Sequence, residues 1–389
     1  MHTTTSRRRI AGTSLLVALL VAVAAACAPP PPAGRGPAPT LQITNVATGL
    51  TNPWDLGFTS GADGTWMVYT ERGGRISAKP TSGGASVVLA QLEWPFVSAG
   101  EGGLLGLAVD PEFASNRYVY ACYTTVGDVR LSRYRINSFS PGGLVFDAQV
   151  VTGMPVNPSG RHSGCRPRFR PATDPPQLFV GTGDSASVGS IPQNLLSLGG
   201  KILCVLRDGA PCPGNPGVGT PGIDDRIHSW GHRNTQGIAF TANGGGYSVE
   251  HGPGRDDEVN VLFTGDFGWD PDPPGPSTAY DESQPMTRPG AIGAAWSSGA
   301  PTIAPSGATM LQGPQWKGWN GALAMAVLKA RELRVVFFDD FLGFSSIGST
   351  FDMRGLGRLR TAVQGPDGNL YISTDNGSMN DVIVRVVPS

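Results

Sequence analysis

The sequence predicts an all-β fold, a six-bladed β-propeller of four-stranded antiparallel blades, and three observations carry that prediction. Short apolar strand openers recur along the chain, centred near Phe58, Val109, Phe169, Phe240, Met310 and Val363. Most are followed by a turn and a longer β-branched or aromatic strand, as in Trp66-Met67-Val68-Tyr69, Tyr118-Val119-Tyr120, Leu178-Phe179-Val180, Tyr247-Ser248-Val249 and Leu370-Tyr371-Ile372. Glycine is abundant, 55 of 389 residues, and no segment of comparable length shows the period of an amphipathic helix. Repetition of small antiparallel sheets around an axis protects their edges, and six modules of this size suit a propeller better than a sandwich.

Taken in order, residues 1–27 read as an export signal: Arg7-Arg8-Arg9, an apolar run from Leu15 to Val23, and Ala24-Ala25-Ala26 before Cys27. That arrangement resembles a bacterial lipoprotein box, with Cys27 as the lipidated residue; a plain secretory signal with an incidental cysteine is the alternative. The run is shorter than the ~20 residues of a membrane span, so membrane contact is expected only through the lipid, at the outer face of the envelope. The three arginines suit either the general secretory or the twin-arginine route. Residues 28–40, with Pro29-Pro30-Pro31-Pro32, form a Pro/Gly-rich tether that cannot pack a core. Residues 41–389 are the propeller, with Leu41-Gln42-Ile43-Thr44-Asn45-Val46 expected to join the last strand, Asp381 to Val386, and close the ring.

Charge narrows the function. Lys and Arg number 29 against 30 Asp and Glu, which removes any electrostatic case for nucleic acid. Four cysteines follow Cys27, an even count that reads as two disulfides in an exported protein. Cys204 and Cys212 flank the turn at Asp208-Gly209 and are paired on that ground, leaving Cys122 with Cys165.

Polar residues with glycine recur at the ends of successive second strands: Thr70-Glu71-Arg72-Gly73, Thr182-Gly183-Asp184, Glu250-His251-Gly252 and Thr374-Asp375-Asn376-Gly377. In a propeller these ends gather at one mouth. The segment from Gly231 to Glu258 is the richest, with Gly231-His232-Arg233-Asn234, the turn at Gly252-Pro253, and Asp256-Asp257-Glu258. Guanidinium forks suit carboxylates, and backbone carbonyls suit calcium.

With Gly100-Glu101-Gly102-Gly103, Gly160-Arg161-His162-Ser163-Gly164, Gly199-Gly200-Lys201-Ile202 and Arg358-Leu359-Arg360, these landmarks run in order through the domain. As a set they resemble the soluble pyrroloquinoline quinone (PQQ)-dependent sugar dehydrogenases, the glucose/sorbosone and aldose group. The resemblance implies PQQ and Ca2+ as cofactors and oxidation of an aldose to its lactone, with electrons passed to an acceptor that the sequence does not identify. It implies His162 as the base, oriented by Asp184, with Arg233 and Asn234 on the quinone oxygens. It further implies Gly252 and Pro253 as calcium ligands through their carbonyls, with Asp257 behind them, and Thr302, Lys329, Arg358 and Arg360 as cofactor contacts. Glu101 is expected near the sugar.

Two departures stand out. Arg161 precedes His162 where glucose-oxidising relatives carry an acid, and Trp296-Ser297-Ser298-Gly299-Ala300 lacks their aromatic pair, leaving Trp296 as the candidate substitute at the substrate. A non-catalytic carbohydrate- or ligand-binding propeller lipoprotein and a calcium-dependent propeller lactonase are the alternatives. His232 is expected to hold the turn before Arg233 rather than to react.

Overall fold

The structure, a computed structural model, describes residues 36–93, 95–272, 280–338 and 344–389, with the side chains of 344–349 left aside. The export signal with Cys27, and most of the tether, lie outside the described residues.

Six sheets form a ring. Their inner strands are Pro53–Thr59, Leu104–Val109, Gly164–Phe169, Thr235–Phe240, Pro305–Met310 and Leu359–Gln364. Each inner strand packs against the inner strands of the blades on either side. Every blade has four antiparallel strands, and the third blade gains a short fifth, Gly265–Asp266, which pairs parallel to Ile227–Trp230. The sixth blade is closed by the first strand, Leu41–Leu50, which pairs with Asp381–Pro388 from Leu41 opposite Pro388 to Leu50 opposite Asp381.

Period-two alternation places the core. Successive side chains of a strand point to opposite faces of its sheet, and each face meets a different neighbouring blade. On the third blade Leu178 and Val180 enter the cluster shared with the second, while Phe179 enters the cluster shared with the fourth. Val68 and its neighbours Met67 and Tyr69 divide in the same way between the second and sixth blades. Six apolar clusters result among the described residues, one at each blade interface.

Inner-strand glycines let the blades converge. A Cβ on Gly106 would lie 2.3 Å from Pro167 Cδ, one on Gly237 2.4 Å from the Ser306 carbonyl, and one on Gly307 2.2 Å from Thr361 Oγ1, each on the next blade. The axis itself is polar. Asp55 bonds Arg166 at 2.7 Å and Arg168 at 2.8 Å, and Arg166 stacks 3.9 Å from the Trp54 ring. Burial opposes ionisation of Asp55, but the two arginines outweigh it and hold its pKa at about 2. Disulfides join Cys122 to Cys165, linking the second and third blades, and Cys204 to Cys212 across the turn.

Candidate functional site

The expected site residues occupy equivalent places in successive blades. Glu101, His162, Arg233, Thr302 and Arg358 lie just before an inner strand, whereas Asp184, Gly252-Pro253, Lys329 and Asp375 lie just after a second strand. In antiparallel blades both kinds of end emerge at the same face. Two cavities adjoin there. One, of about 210 Å3, is lined by Glu101, His162, Arg233, Asn234, Gly252, Pro253, Asp257 and Thr302, together with Arg161 and Glu282. The other, of about 190 Å3, shares Glu101, His251 and Ala304 with it and adds Trp54, Gln236, Arg358 and Arg360.

His162 is buried, with its backbone in the left-handed region at φ 50°. Its Nδ1 meets Asp184 Oδ1 at 2.7 Å, and its backbone N–H donates to Glu101 Oε2 at 3.1 Å. Among the described residues Nε2 has no hydrogen-bond partner, which leaves that nitrogen available to the cavity the ring lines. Asp184 is over-determined. It also accepts from Trp269 Nε1 at 2.7 Å, Tyr280 O–H at 2.6 Å and the Ala186 N–H at 2.9 Å. Burial alone would raise its pKa, but the His162 and Tyr280 hydrogen bonds and the Arg233 charge hold it below the usual carboxylate range. Gly183 allows this approach, because a Cβ there would sit 1.8 Å from the His162 carbonyl. Behind the pair, buried Lys201 donates to the carbonyls of Ile191, Pro192 and Gly199 at 2.6–2.9 Å, three acceptors for three N–H bonds.

Arg233 is buried beside them. Nη1 donates to the carbonyls of His251 at 3.0 Å and Gly252 at 3.1 Å, and Nη2 to Glu282 Oε1 at 2.7 Å. Asn234 lines the same cavity, and its Oδ1 accepts from Gln236 Nε2. His232 does hold the turn: Nδ1 meets Glu250 at 2.9 Å and Nε2 meets Ser229 Oγ at 2.8 Å. Asp257 pins two rim segments through the N–H groups of Gly252 at 3.0 Å, Ile303 at 2.6 Å and Ala304 at 2.9 Å. Burial raises its pKa despite those three bonds. Burial first, then Arg360 and Arg233, push His251 down to about 3 and keep it neutral.

The basic groups are partly committed within the protein. Arg360 pairs with Asp375 and donates to Gln236 Oε1 at 3.1 Å. Arg358 lines the same cavity; desolvation, and the charges of Arg360, Arg331 and Arg72 against Asp375, push its pKa down. Lys329 donates to Thr302 Oγ1 at 3.1 Å, which sets it one bond from the first cavity.

Trp296 is not brought to the mouth. Trp296–Ser297 is the outer strand of the fourth blade, paired with Glu258 and Val259, and the indole is buried between the fourth and fifth blades. An apolar ring on an edge strand gains more by packing there than by facing a wet cavity. Conversely, Tyr280, Trp269 and Glu282 reach the site from the long connection between Val261 and Trp296. No repeat or motif marks them; only aromatic and acidic side chains inside a Pro/Gly-rich loop hint at a role.

A family model described as glucose/sorbosone dehydrogenase matches residues 50–384. The aldose sugar dehydrogenase of Escherichia coli (strain K12) is 28% identical over 362 residues, covering 87% of this chain and 91% of the relative. The PQQ-bound aldose sugar dehydrogenase of Streptomyces coelicolor is 28% identical, with a TM-score of 0.71 over 91% of this chain and 100% of that one. The apo form of the soluble E. coli aldose sugar dehydrogenase superposes with a TM-score of 0.77 at 25% identity, over 90% and 100% of the two chains. With its blades, its paired histidine and its buried arginine all within the matched span, the chain belongs to the glucose/sorbosone dehydrogenase family.

Proposed function

We propose that this protein is a PQQ- and calcium-dependent dehydrogenase that oxidises an aldose at the anomeric carbon to the lactone. One observation carries the reading: a buried His162–Asp184 pair, the Arg233 guanidinium and the Gly252-Pro253 turn line one cavity. The residues fit an anionic planar group. Arg233 Nε and His251 Nε2 are buried without hydrogen-bond partners, and the Glu282 carboxylate on Arg233 stands where an anionic oxygen would bind. Among the described residues no cluster of three or more His, Cys, Asp or Glu is set to hold a metal, so calcium would rest on the Gly252 and Pro253 carbonyls and on the cofactor. The Gly252 carbonyl already accepts from a cation, the Arg233 guanidinium.

When bound, PQQ supplies the two-electron oxidant and calcium polarises its carbonyl. His162 Nε2 takes the proton of the anomeric hydroxyl. Asp184 fixes the ring through Nδ1 and stabilises the imidazolium as it forms. Glu101, within hydrogen-bond reach of the His162 backbone, contacts the sugar. Arg233 and Asn234 hold the quinone oxygens. Thr302, Lys329, Arg358 and Arg360 serve its carboxylates, Arg360 by sharing charge with Asp375.

The reading extends to location. The leader-like residues 1–27 support export and lipid attachment at Cys27. The test is reconstitution: the metal-free protein with PQQ and calcium, supplied with a panel of aldoses and an artificial electron-accepting dye. Sugar-dependent dye reduction that requires both additions is expected. A protein that binds PQQ but reduces no dye with any aldose overturns the catalytic claim.

A further inference from the structure

The Arg233 guanidinium is only half used. Nη1 is committed to two backbone carbonyls, Nε is buried with no partner, and Nη2 holds a single carboxylate oxygen, Oε1 of Glu282. The Nε–Nη2 edge is the fork on which a planar anion binds through two oxygens, so a one-oxygen contact leaves a donor stranded. The same Oε1 also accepts from Arg161 Nη2. Arg233 is 5% exposed at its side chain, whereas Glu282 and Arg161 are 36% and 44% exposed. One member of this triad is fixed and two are at the rim, able to change rotamer at little cost.

We propose that Glu282 is an internal competitor for the anion seat on Arg233, displaced onto Arg161 when the cofactor binds. The Arg161–Glu282 pair thereby sets cofactor affinity. This inference rests on the PQQ reading above. In the cofactor-free protein Glu282 neutralises a buried guanidinium that would otherwise face the cavity alone. On binding, the cofactor takes the Nε–Nη2 edge with two oxygens, and Glu282 keeps Arg161 as its remaining partner. Arg161 therefore lowers the cost of displacement without touching the cofactor.

The experiment is a direct binding titration that needs no turnover. PQQ is added to the metal-free protein with and without calcium, and binding is read from quinone absorbance and tryptophan quenching, Trp269 lying 5.6 Å from the Arg233 guanidinium. Glu282→Gln should bind PQQ about tenfold more tightly, as expected for loss of one competing charge-assisted hydrogen bond. Glu282→Ser should show the same direction, with melting curves confirming that both variants fold. Arg161→Ala should bind several-fold more weakly, because Glu282 then has no alternative partner. That penalty should vanish in the Glu282→Gln background. Equal or weaker binding by the Glu282 variants, or an Arg161→Ala penalty that persists in the double variant, overturns the proposal while leaving PQQ binding intact. Absence of PQQ binding by the wild type and every variant instead overturns the cofactor reading, and this one with it.

Discussion

Two buried histidine–carboxylate pairs sit one blade apart and differ in what the second ring nitrogen meets. His162 and Asp184 are 2.7 Å apart, His232 and Glu250 2.9 Å. His232 gives its other nitrogen to Ser229 Oγ, and Glu250 also accepts from the Arg233 N–H at 2.8 Å and Asn260 Nδ2 at 2.6 Å. That pair is saturated and can only hold a turn. His162 lines the open cavity instead, and its carboxylate carries the extra bonds. A histidine beside a carboxylate is thus either closed into a scaffold or left open to a cavity according to one remaining hydrogen bond, and the base role proposed for His162 rests on that difference.

Swapping the histidines separates the roles most sharply. His162→Gln should lower sugar-dependent turnover by about 10^3-fold while leaving the PQQ titration within a few-fold of wild type. Persistent turnover in this variant would reassign the base. Asp184→Asn should keep the fold but release the tautomer and the imidazolium, with a loss of about 10^2-fold in kcat and little change in cofactor binding. His232→Gln should do the reverse: stability falls by about 1–3 kcal/mol in thermal or denaturant unfolding, and kcat per folded molecule is retained. A turnover defect exceeding the unfolded fraction would break the distinction.

The smallest effect concerns a histidine with no acid beside it. Among the described residues its one hydrogen bond is from His228 Nε2, which donates to the Leu262 carbonyl at 3.3 Å, and burial pushes its pKa down to about 4 from 6.5. Between those values the unfolded chain binds the extra proton and the folded one does not, so its contribution to stability is complete above pH 6.5 and is lost as pH falls toward 4. The fall of Tm with acid over this window should be shallower in His228→Gln than in the wild type. Asp184, with its pKa lowered, contributes stability above the usual carboxylate range that is lost only as pH drops below it.

The ring was legible because strand modules recur along the chain; the inner-strand glycines show their role only in the folded structure. Gly106, Gly237 and Gly307 each face the following blade where a methyl group would not fit. Gly252, in a second-strand ending, and Arg233 and Asn234, in the segment from Gly231 to Glu258, stood out from the residues themselves, whereas His162 and Thr302 came only with the family resemblance; blade topology carries all five to one mouth. Tyr280, Trp269 and Glu282 could not, since their connection has no periodicity and its path depends on tertiary packing alone. Trp296 misled for a related reason. Six residues before Thr302 the chain is still a buried edge strand, and proximity in sequence to the rim says nothing about which side of the sheet an indole faces. The Arg166–Asp55–Arg168 cluster on the axis also escaped notice, because its partners are supplied by different blades.

The closure of the sixth blade has a consequence for biogenesis. Thr40 and Ser389 exchange backbone hydrogen bonds at 3.0 and 2.9 Å across a separation of 349 residues, and the strand beginning at Leu41 has its partner only in Asp381–Pro388. Among the described strands, the first to be synthesised therefore stays unpaired until the last one emerges. A nascent chain arrested before Asp381 should remain sensitive to protease at its amino-terminal strand, while release of the final residues makes the whole circle resistant in a single step.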